Sequence, residues 1–190
     1  MIRTNPKLLD YAKNLLEKQP TKVSVTDYKR KGEIMGQGHR YPYVGIIIKG
    51  IVKCYINEAN GKAFIQEFMT EGMEVGELEF FEKGGATCSV SAVTSVTILE
   101  IPHQLFKTLL DEDLTFNRLI LESLADKVRY KAPRHAFQTS YSLERNIEKM
   151  GELYPDFLKV LPKGDIANYL GVSARSLNRA LKTLREESNT

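Results

Sequence analysis

The chain has 190 residues, 42% of them hydrophobic, and a formal net charge of +3. Such a chain can bury a core as one large or two small domains, and it contains no apolar run long enough to span a membrane. Its two cysteines, Cys54 and Cys88, are too few for an ordinary iron–sulfur cluster. Their wide separation is more typical of a reducing cytosol than of a disulfide framework. Because the segment from Met1 to Pro6 also lacks the apolar stretch of a signal peptide, we expect a cytoplasmic protein.

A short amphipathic helix is predicted near the start, from about Pro6 to Glu17, and short strands follow it. Between Val23 and Ile101, β-branched and aromatic residues come in short segments separated by glycine turns such as Lys49-Gly50 and Asn60-Gly61. Many short strands with regular glycine punctuation are typical of a sandwich or a jelly roll. The predicted strands are residues 44–48, 51–56, 63–68, 88–93 and 96–101.

Helical periodicity returns after Pro102, with predicted helices over residues 104–110, from about Leu114 to Tyr130 and from about Ser142 to Leu153. The middle helix has an apolar face suited to a dimer interface, although the same face would also suit a helix that covers the open side of the roll. Pro133 is expected to end or kink this helix. The residues predicted for the interface are Phe116, Leu119, Ile120, Leu124 and Val128.

The C-terminal segment from Leu161 to Leu184 is predicted to form a helix-turn-helix. Gly171 permits the left-handed turn between the two helices, and Ser173 is suited to cap the second one. Apolar residues at helical spacing would pack that helix onto the body of the domain. Its opposite face is cationic and carries amides, as the major groove of double-stranded DNA requires, whereas an ordinary helical corner with a solvated basic face is the competing interpretation. The predicted DNA-contacting residues are Ser173, Arg175, Ser176, Asn178, Arg179, Lys182 and Arg185.

In this order, the segments resemble the CRP/FNR family of bacterial transcription regulators over nearly the whole chain. The resemblance is carried by Lys31-Gly-Glu-Ile-Met35, Gly45–Tyr55, Asn60-Gly61, Gly72-x3-Gly76-Glu77-Leu78-x-Phe80-Phe81, Asp165-Ile-Ala-x2-Leu-Gly-Val-Ser173 and Leu177-x-Arg179-Ala-Leu181.

This resemblance implies an α+β fold with three parts. They are a double-stranded β-helix of the jelly-roll, cyclic-nucleotide-binding-like type over residues 1–113, a dimerisation helix and hinge over 114–138, and a winged-helix type of helix-turn-helix over 139–190. It also implies a homodimer that binds promoter DNA, with RNA polymerase as a further partner to consider. An effector or redox event at the roll would change how the two DNA-reading helices are presented.

In the cyclic-nucleotide binders that the chain resembles, a loop beginning Gly-Glu-Leu holds the ligand. The glutamate accepts a hydrogen bond from the ribose hydroxyl, and a nearby arginine pairs with the cyclic phosphate. Gly76, Glu77 and Leu78 match this loop, but residues 86–89 read Ala-Thr-Cys-Ser and contain no arginine, and Lys83 is the only nearby cation. A buried phosphate without a cation is costly, so we expect no tight binding of cAMP.

Tyr130 and Lys131 stand where the cAMP-binding members have small hydroxyl residues, and this difference also argues against tight binding of cAMP. The effector stays unidentified, and the residues predicted to surround it are Gly76, Glu77, Leu78, Lys83, Thr87 and Cys88.

No cofactor, metal or catalytic residue is predicted. His39, His103 and His135 are the conceivable haem ligands, and each is expected to be a surface or capping residue. A reactive-thiol switch at Cys54 or Cys88 stays open, although the apolar strand around Cys54 favours a buried, inert thiol.

The DNA-reading helix departs from the best-known members, which carry an Arg-Glu pair early in the helix and an arginine four positions after the glutamate. The matching positions here are Ala174, Arg175 and Arg179, so we expect a different operator. The sequence stops at Thr190, directly after the second helix, and the β-hairpin wing of the family is expected to be truncated. Fewer neutralised phosphates would then give a shallower salt dependence of DNA binding.

Two other functions compete with DNA binding. An enzyme on a cupin-like roll would hold a metal with several histidines on its strands, but residues 44–101 contain none. A cyclic-nucleotide sensor that retains ligand binding and signals through a protein partner is the alternative to a regulator. The absence of acids from Ser173 to Arg185 argues against it.

Overall fold

A computed structural model describes residues 2–59 and 61–187, so Asn60 of the predicted turn and the three residues after Glu187 lie outside the described part. The predicted truncation of the wing concerns those last residues and stays a prediction. The strands are β1 Ile2–Arg3, β2 Ser24–Tyr28, β3 Glu33–Met35, β4 Tyr43–Lys49, β5 Val52–Asn57, β6 Ala63–Met69, β7 Glu74–Val75, β8 Ser89–Ala92 and β9 Val96–Pro102. The helices are α1 Pro6–Lys18, α2 Glu77–Glu82, α3 His103–Glu112, α4 Leu114–Ser140, α5 Leu143–Leu153, α6 Phe157–Val160, α7 Lys163–Leu170 and α8 Ala174–Glu187.

The strands form two sheets, one in the order β1-β6-β5-β8-β3 and the other in the order β2-β9-β4-β7. Side chains of each strand alternate between the faces of its sheet. In β4, for example, Ile47 packs between the two sheets, and its neighbour Ile46 packs outward against α1, α3 and α4. Both faces of this sheet are therefore covered, and the predicted α+β jelly roll is confirmed.

Helix α4 runs from Leu114 to Ser140, so the prediction that Pro133 ends this helix is wrong. Pro133 lies on the exposed side of the helix, where water can bond the carbonyl that loses its donor. Arg134, the next residue, donates to the backbone carbonyls of Ile65 and Tyr169 at 3.1 Å each. These tertiary bonds hold the helix beyond the proline. None of the helices in the described part of the chain is long and apolar enough to cross a bilayer.

The predicted helix-turn-helix is present as α7 and α8. Gly171 ends α7 in the left-handed conformation with φ of 70°, which favours glycine. Ser173 Oγ accepts from the backbone N–H of Ser176 at 3.1 Å and so caps α8, as predicted. Leu177, Ala180 and Leu181 are buried and pack α8 onto the rest of the domain.

Candidate functional site: the cassette pocket and the DNA-reading helix

A small cavity of about 130 Å³ lies where β7, α2 and α4 meet. We call residues 76–88 beside it the cassette segment. Its first residue, Gly76, has φ of 87°, and a Cβ there would lie 2.7 Å from Met35 Cε, so only glycine suits this position. Five of the predicted effector residues line the cavity, namely Gly76, Glu77, Leu78, Thr87 and Cys88. Lys83 does not line it, because it lies exposed at the C-terminal end of α2.

Lys127 of α4 reaches into this cavity and forms ion pairs with two of its carboxylates, those of Glu74 and Glu77. Its Nζ lies 2.7 Å from Glu77 Oε1 and 2.9 Å from Glu74 Oε1, and it also donates to the Glu74 carbonyl at 3.1 Å. Ser123, one turn earlier, donates to Glu74 Oε2 at 2.8 Å. Lys127, Ser123, Glu74 and Glu77 are all buried. The carboxylate that resembles the ribose acceptor of the family is therefore already paired within the chain.

Burial and charge act in opposite directions in this cluster. Burial alone would lower the pKa of Lys127, but Glu74, Glu77 and Glu67 outweigh it and raise that pKa, so the ammonium stays charged. Burial raises the pKa of the Glu77 carboxyl, Lys127 opposes this rise and Glu74 adds to it. Glu67, also buried, is paired with Arg3 at 3.0 Å. Each of the three carboxylates is thus paired with a cation of the same chain.

Lys127 was not among the residues considered from the sequence, and its neighbours Tyr130 and Lys131 were named only as departures from the cAMP-binding members. The Tyr130 hydroxyl lies 2.6 Å from the Tyr169 hydroxyl of α7. The Lys131 ammonium lies 3.9 Å from Glu67 Oε1. The signal that was available is the position of Lys127, seven residues after Ile120 and four after Ser123, on the face of α4 that packs against the roll.

The two cysteines form a disulfide bond beside this cavity. The expectation that their wide separation argues against a disulfide is therefore wrong, and so is the prediction of an inert Cys54 thiol. Cys54 in β5 lies opposite Val90 of β8. Cys88 comes two residues before Val90, so its side chain points to the same face and lies diagonally across from Cys54. The Cα atoms of the pair are 6.2 Å apart. The alignment of β5 with β8 therefore brings together two cysteines that are 34 residues apart in sequence.

The exposed face of α8 carries most of the predicted DNA-contacting side chains. Arg175, Asn178, Arg179, Lys182 and Arg185 are exposed there. Within the described residues, neither Arg175 nor Arg179 has a carboxylate within ion-pair distance, whereas Lys182 lies 3.6 Å from Glu186. The remaining two, Ser173 and Ser176, bond to each other at 2.9 Å between their hydroxyl oxygens, so their main role here is to cap the helix.

Helix α7 packs on the outer face of the roll, a contact that the sequence did not predict. Lys53 Nζ of β5 lies 2.6 Å from Asp165 Oδ1 at the start of α7. The Phe68 and Tyr169 rings lie 5.4 Å apart, and the Arg134 guanidinium stacks 3.9 Å from the Tyr169 ring centre. The first helix of the helix-turn-helix is therefore joined to strands β5 and β6 by ionic, aromatic and apolar contacts.

Three of the five residues predicted for the dimer interface are buried, whereas Val128 is exposed together with other apolar residues of α4. Phe116, Leu119 and Ile120 are buried against the roll of the same chain, so they have no surface left for a partner. Leu124 is partly buried in the same cluster. The exposed large apolar residues are Leu114, Leu121 and Val128, at 84%, 60% and 71% exposure. They follow a seven-residue spacing, and we call them the heptad stripe.

Comparison with known proteins shows which proteins the chain is similar to. Residues 25–113 match the family model of the cyclic nucleotide-binding domain. The cAMP-activated global transcriptional regulator CRP of Salmonella typhimurium is 25% identical over 174 residues, which covers 85% of this chain and 82% of that protein. Over most of its length the chain is therefore similar to bacterial transcription regulators, and residues 25–113 match a cyclic nucleotide-binding domain. The relatives found are transcription regulators and not enzymes, in agreement with the prediction that the chain is not an enzyme.

Solved structures of CRP/FNR proteins share the fold. A transcriptional regulator of the CRP/FNR family from Thermus thermophilus superposes with a TM-score of 0.66 at 16% identity, covering 86% of this chain and 87% of the other. The c-di-GMP responsive global regulator CLP of Xanthomonas campestris gives a TM-score of 0.76 at 15% identity, and the match covers 93% of each chain. The similarity thus includes both the roll and the helix-turn-helix.

Proposed function

We propose that this protein is a sequence-specific regulator of the CRP/FNR type that binds promoter DNA through α8. The observation that supports the proposal is the exposed face of that helix. It presents Arg175, Asn178 and Arg179 near its N-terminal end with no carboxylate of the described chain beside either arginine. Arginine and asparagine pair with guanine and adenine edges in the major groove. Lys182 and Arg185 follow further along the helix, where phosphates are the expected contacts.

The active form in this proposal is a homodimer joined along the heptad stripe. Leu114, Leu121 and Val128 are exposed although each is apolar, and a seven-residue repeat is the spacing of a two-stranded coiled coil. Two copies would bury the stripes against each other and present two DNA-reading helices. Such pairs contact half-sites about 34 Å apart. The three parts proposed for the chain remain the roll, the α4 helix and the helix-turn-helix.

The roll, in this proposal, does not bind cAMP tightly. Lys127 already neutralises Glu77 inside the pocket, at 2.7 Å. Thr87 and Cys88 line the cavity at the end of the cassette segment, where the cyclic-nucleotide binders use an arginine for the phosphate. A nucleotide would have to displace a buried ion pair and then bury its own phosphate without that arginine.

Selection from fragmented genomic DNA tests the DNA-binding proposal. The purified protein, without added ligand, is incubated with the fragments at moderate salt, and the retained fragments are sequenced. We expect enrichment of a two-fold symmetric motif, because a homodimer reads two related half-sites. The R179A variant is the matched control, and its enrichment should be weaker and less specific at one base pair of each half-site. Absence of any motif, both alone and with cyclic nucleotides, would contradict the proposal.

Titration with cAMP, and separately with c-di-GMP, tests the proposal for the roll. We expect no calorimetric signal for cAMP at the concentrations that saturate a cAMP-activated regulator, and no effect of cAMP on DNA binding. Tight cAMP binding would contradict this part of the proposal. Tight binding of a cyclic nucleotide together with no DNA preference would instead support the sensor that signals through a protein partner.

A further inference from the structure

We propose that Cys54 and Cys88 are a reversible thiol–disulfide site, oxidised by hydroperoxides, whose redox state sets the affinity of the protein for DNA. This inference rests on the proposed function, because its output is DNA binding. It assigns the signal to the two sulfurs beside the cassette pocket.

The pair is placed where an oxidant can reach one sulfur and the chain supplies the other. Cys88 is half-buried and follows the exposed Thr87 at the end of the cassette segment. Cys54 is only 6% exposed, and both side chains line the same cavity. Oxidation of cysteine follows exposure, and redox-sensing thiols commonly have a resolving cysteine beside them. Cys88 is therefore the residue that reacts first, and Cys54 resolves it.

The chemistry is a two-electron oxidation with a known balance. The Cys88 thiolate attacks one oxygen of the hydroperoxide, the O–O bond breaks, and a sulfenic acid and an alcohol (water, from hydrogen peroxide) are formed. The Cys54 thiol then attacks the sulfenic sulfur, which forms the S–S bond and releases water. Two thiols and one hydroperoxide thus give one disulfide, one alcohol and one water. A small thiol reductant reverses the reaction by thiol–disulfide exchange.

Strand β5 connects this bond to the helix-turn-helix. Successive side chains of a strand point to opposite faces, so Cys54 faces the pocket while Lys53 and Tyr55 face α7. Lys53 is paired with Asp165 at 2.6 Å, and Tyr55 packs against the apolar cluster that contains α7 and α8. A change in how β5 is held at Cys54 therefore acts directly on the residues that hold α7.

The other end of the bond lies in the cassette segment. The backbone N–H of Thr87, next to Cys88, donates to Glu79 Oε1 of α2 at 2.8 Å. Oxidation thus joins β5 to the cassette segment. That segment carries Glu77, which is paired with Lys127 of α4. The disulfide therefore links the cassette segment to the strand that contacts α7.

The test compares the full-length protein in two states, reduced with dithiothreitol and oxidised with hydrogen peroxide. Free thiols are counted with Ellman's reagent, and the dissociation constant is measured on the DNA motif selected above. We expect complete and reversible loss of both thiols within one chain, together with an affinity change of about tenfold in either direction, which is typical of coupling between two sites. C54S and C88S, made separately in case one fails to fold, should each bind DNA with an affinity that peroxide does not change.

The double variant C54S/C88S, treated with the same peroxide, controls for oxidation of methionines. Failure to form the intramolecular disulfide would overturn the inference, as would a disulfide between two chains. A disulfide that forms but leaves the DNA affinity unchanged would overturn it while the proposed function stands. Absence of DNA binding in both redox states would show that the proposed function has failed, and the inference with it.

Discussion

The cavity beside the cassette segment, which we call the cassette pocket, and the helix α8 both carry several charged side chains. They differ in whether those charges have partners within the chain. In the pocket, Glu74 and Glu77 share the buried ammonium of Lys127. On α8, Arg175 and Arg179 are exposed and have no carboxylate partner among the residues that the structure describes. A charge already neutralised inside the chain has little to offer an external ligand, whereas one left in solvent can gain a partner. The contrast supports the proposal that α8, and not the pocket, offers its charges to an external partner.

Removing Lys127 should produce the largest effect, because it removes the compensation within the pocket. The K127M variant leaves Glu74 and Glu77 buried without a cation, and breaking a buried pair in this way costs roughly 3–5 kcal/mol of stability. Urea unfolding of the variant and the wild type measures the difference. K131M is the matched control, since Lys131 is exposed and 3.9 Å from its carboxylate, and it should cost less than about 1 kcal/mol.

A rescue variant distinguishes lost charge balance from lost packing. K127M/E74Q/E77Q removes the excess negative charge along with the cation and should recover most of the stability lost in K127M. Replacing every member of a buried ionic group is often close to neutral. A K127M variant as stable as the wild type would show that the pocket does not depend on its internal ion pairs, and the comparison with α8 would lose its basis.

A charged side chain introduced into the heptad stripe tests whether this exposed apolar surface of α4 is the dimer interface. Burying a leucine is worth roughly 1.5–3 kcal/mol per side chain, so L121E should shift the protein from dimer to monomer. Analytical ultracentrifugation over a dilution series measures the shift. L158E is the control, because Leu158 is also exposed but lies in α6, outside the stripe. A variant that dimerises as well as the wild type would contradict the assignment.

Truncating Arg179 tests the other side of the comparison. If the guanidinium reads a guanine, R179A should weaken binding to the selected motif by about 1–3 kcal/mol and relax specificity at one base pair. K159A removes a cation of α6 that is already paired with Asp156 at 2.7 Å, and it should leave the affinity nearly unchanged. Fluorescence anisotropy at one salt concentration compares the two. A loss of a few tenths of a kcal/mol in R179A would remove this residue from base recognition.

The local parts of the fold were predictable from the sequence because their signals are local. The Gly171 turn and the Ser173 cap lie within a few residues of the helices they define, and strand periodicity located β4, β5, β6, β8 and β9. The contacts that form the candidate site could not be predicted in the same way, because they depend on how distant strands and helices align. Pairing of Cys54 with Cys88 requires the alignment of β5 with β8, and the role of Lys127 requires knowledge of which face of α4 packs on the roll. Continuation of α4 beyond Pro133 likewise depends on the distant partners of Arg134.

The smallest expected effect is on the pH dependence of stability, and it arises from Glu77. Burial raises the pKa of this carboxyl in the folded protein above its ordinary value of 4.5, although Lys127 opposes the rise. The folded state therefore holds the proton more tightly than the unfolded state does. Stability from this group is greatest below the ordinary pKa and is lost as the pH rises through the raised one.

E77Q removes this titration and leaves Lys127 paired with Glu74. The free energy of unfolding of the wild type, minus that of E77Q, should accordingly fall as the pH is raised from about 4 toward neutrality. Urea unfolding at a series of pH values measures this difference, and E82Q, at the exposed end of α2, gives the background effect of losing one carboxylate from that helix. A difference that rises with pH would mean that Lys127 stabilises the Glu77 carboxylate more than burial destabilises it. The pocket would then bind its internal cation more tightly than proposed, and an external ligand would compete for Glu77 even less well.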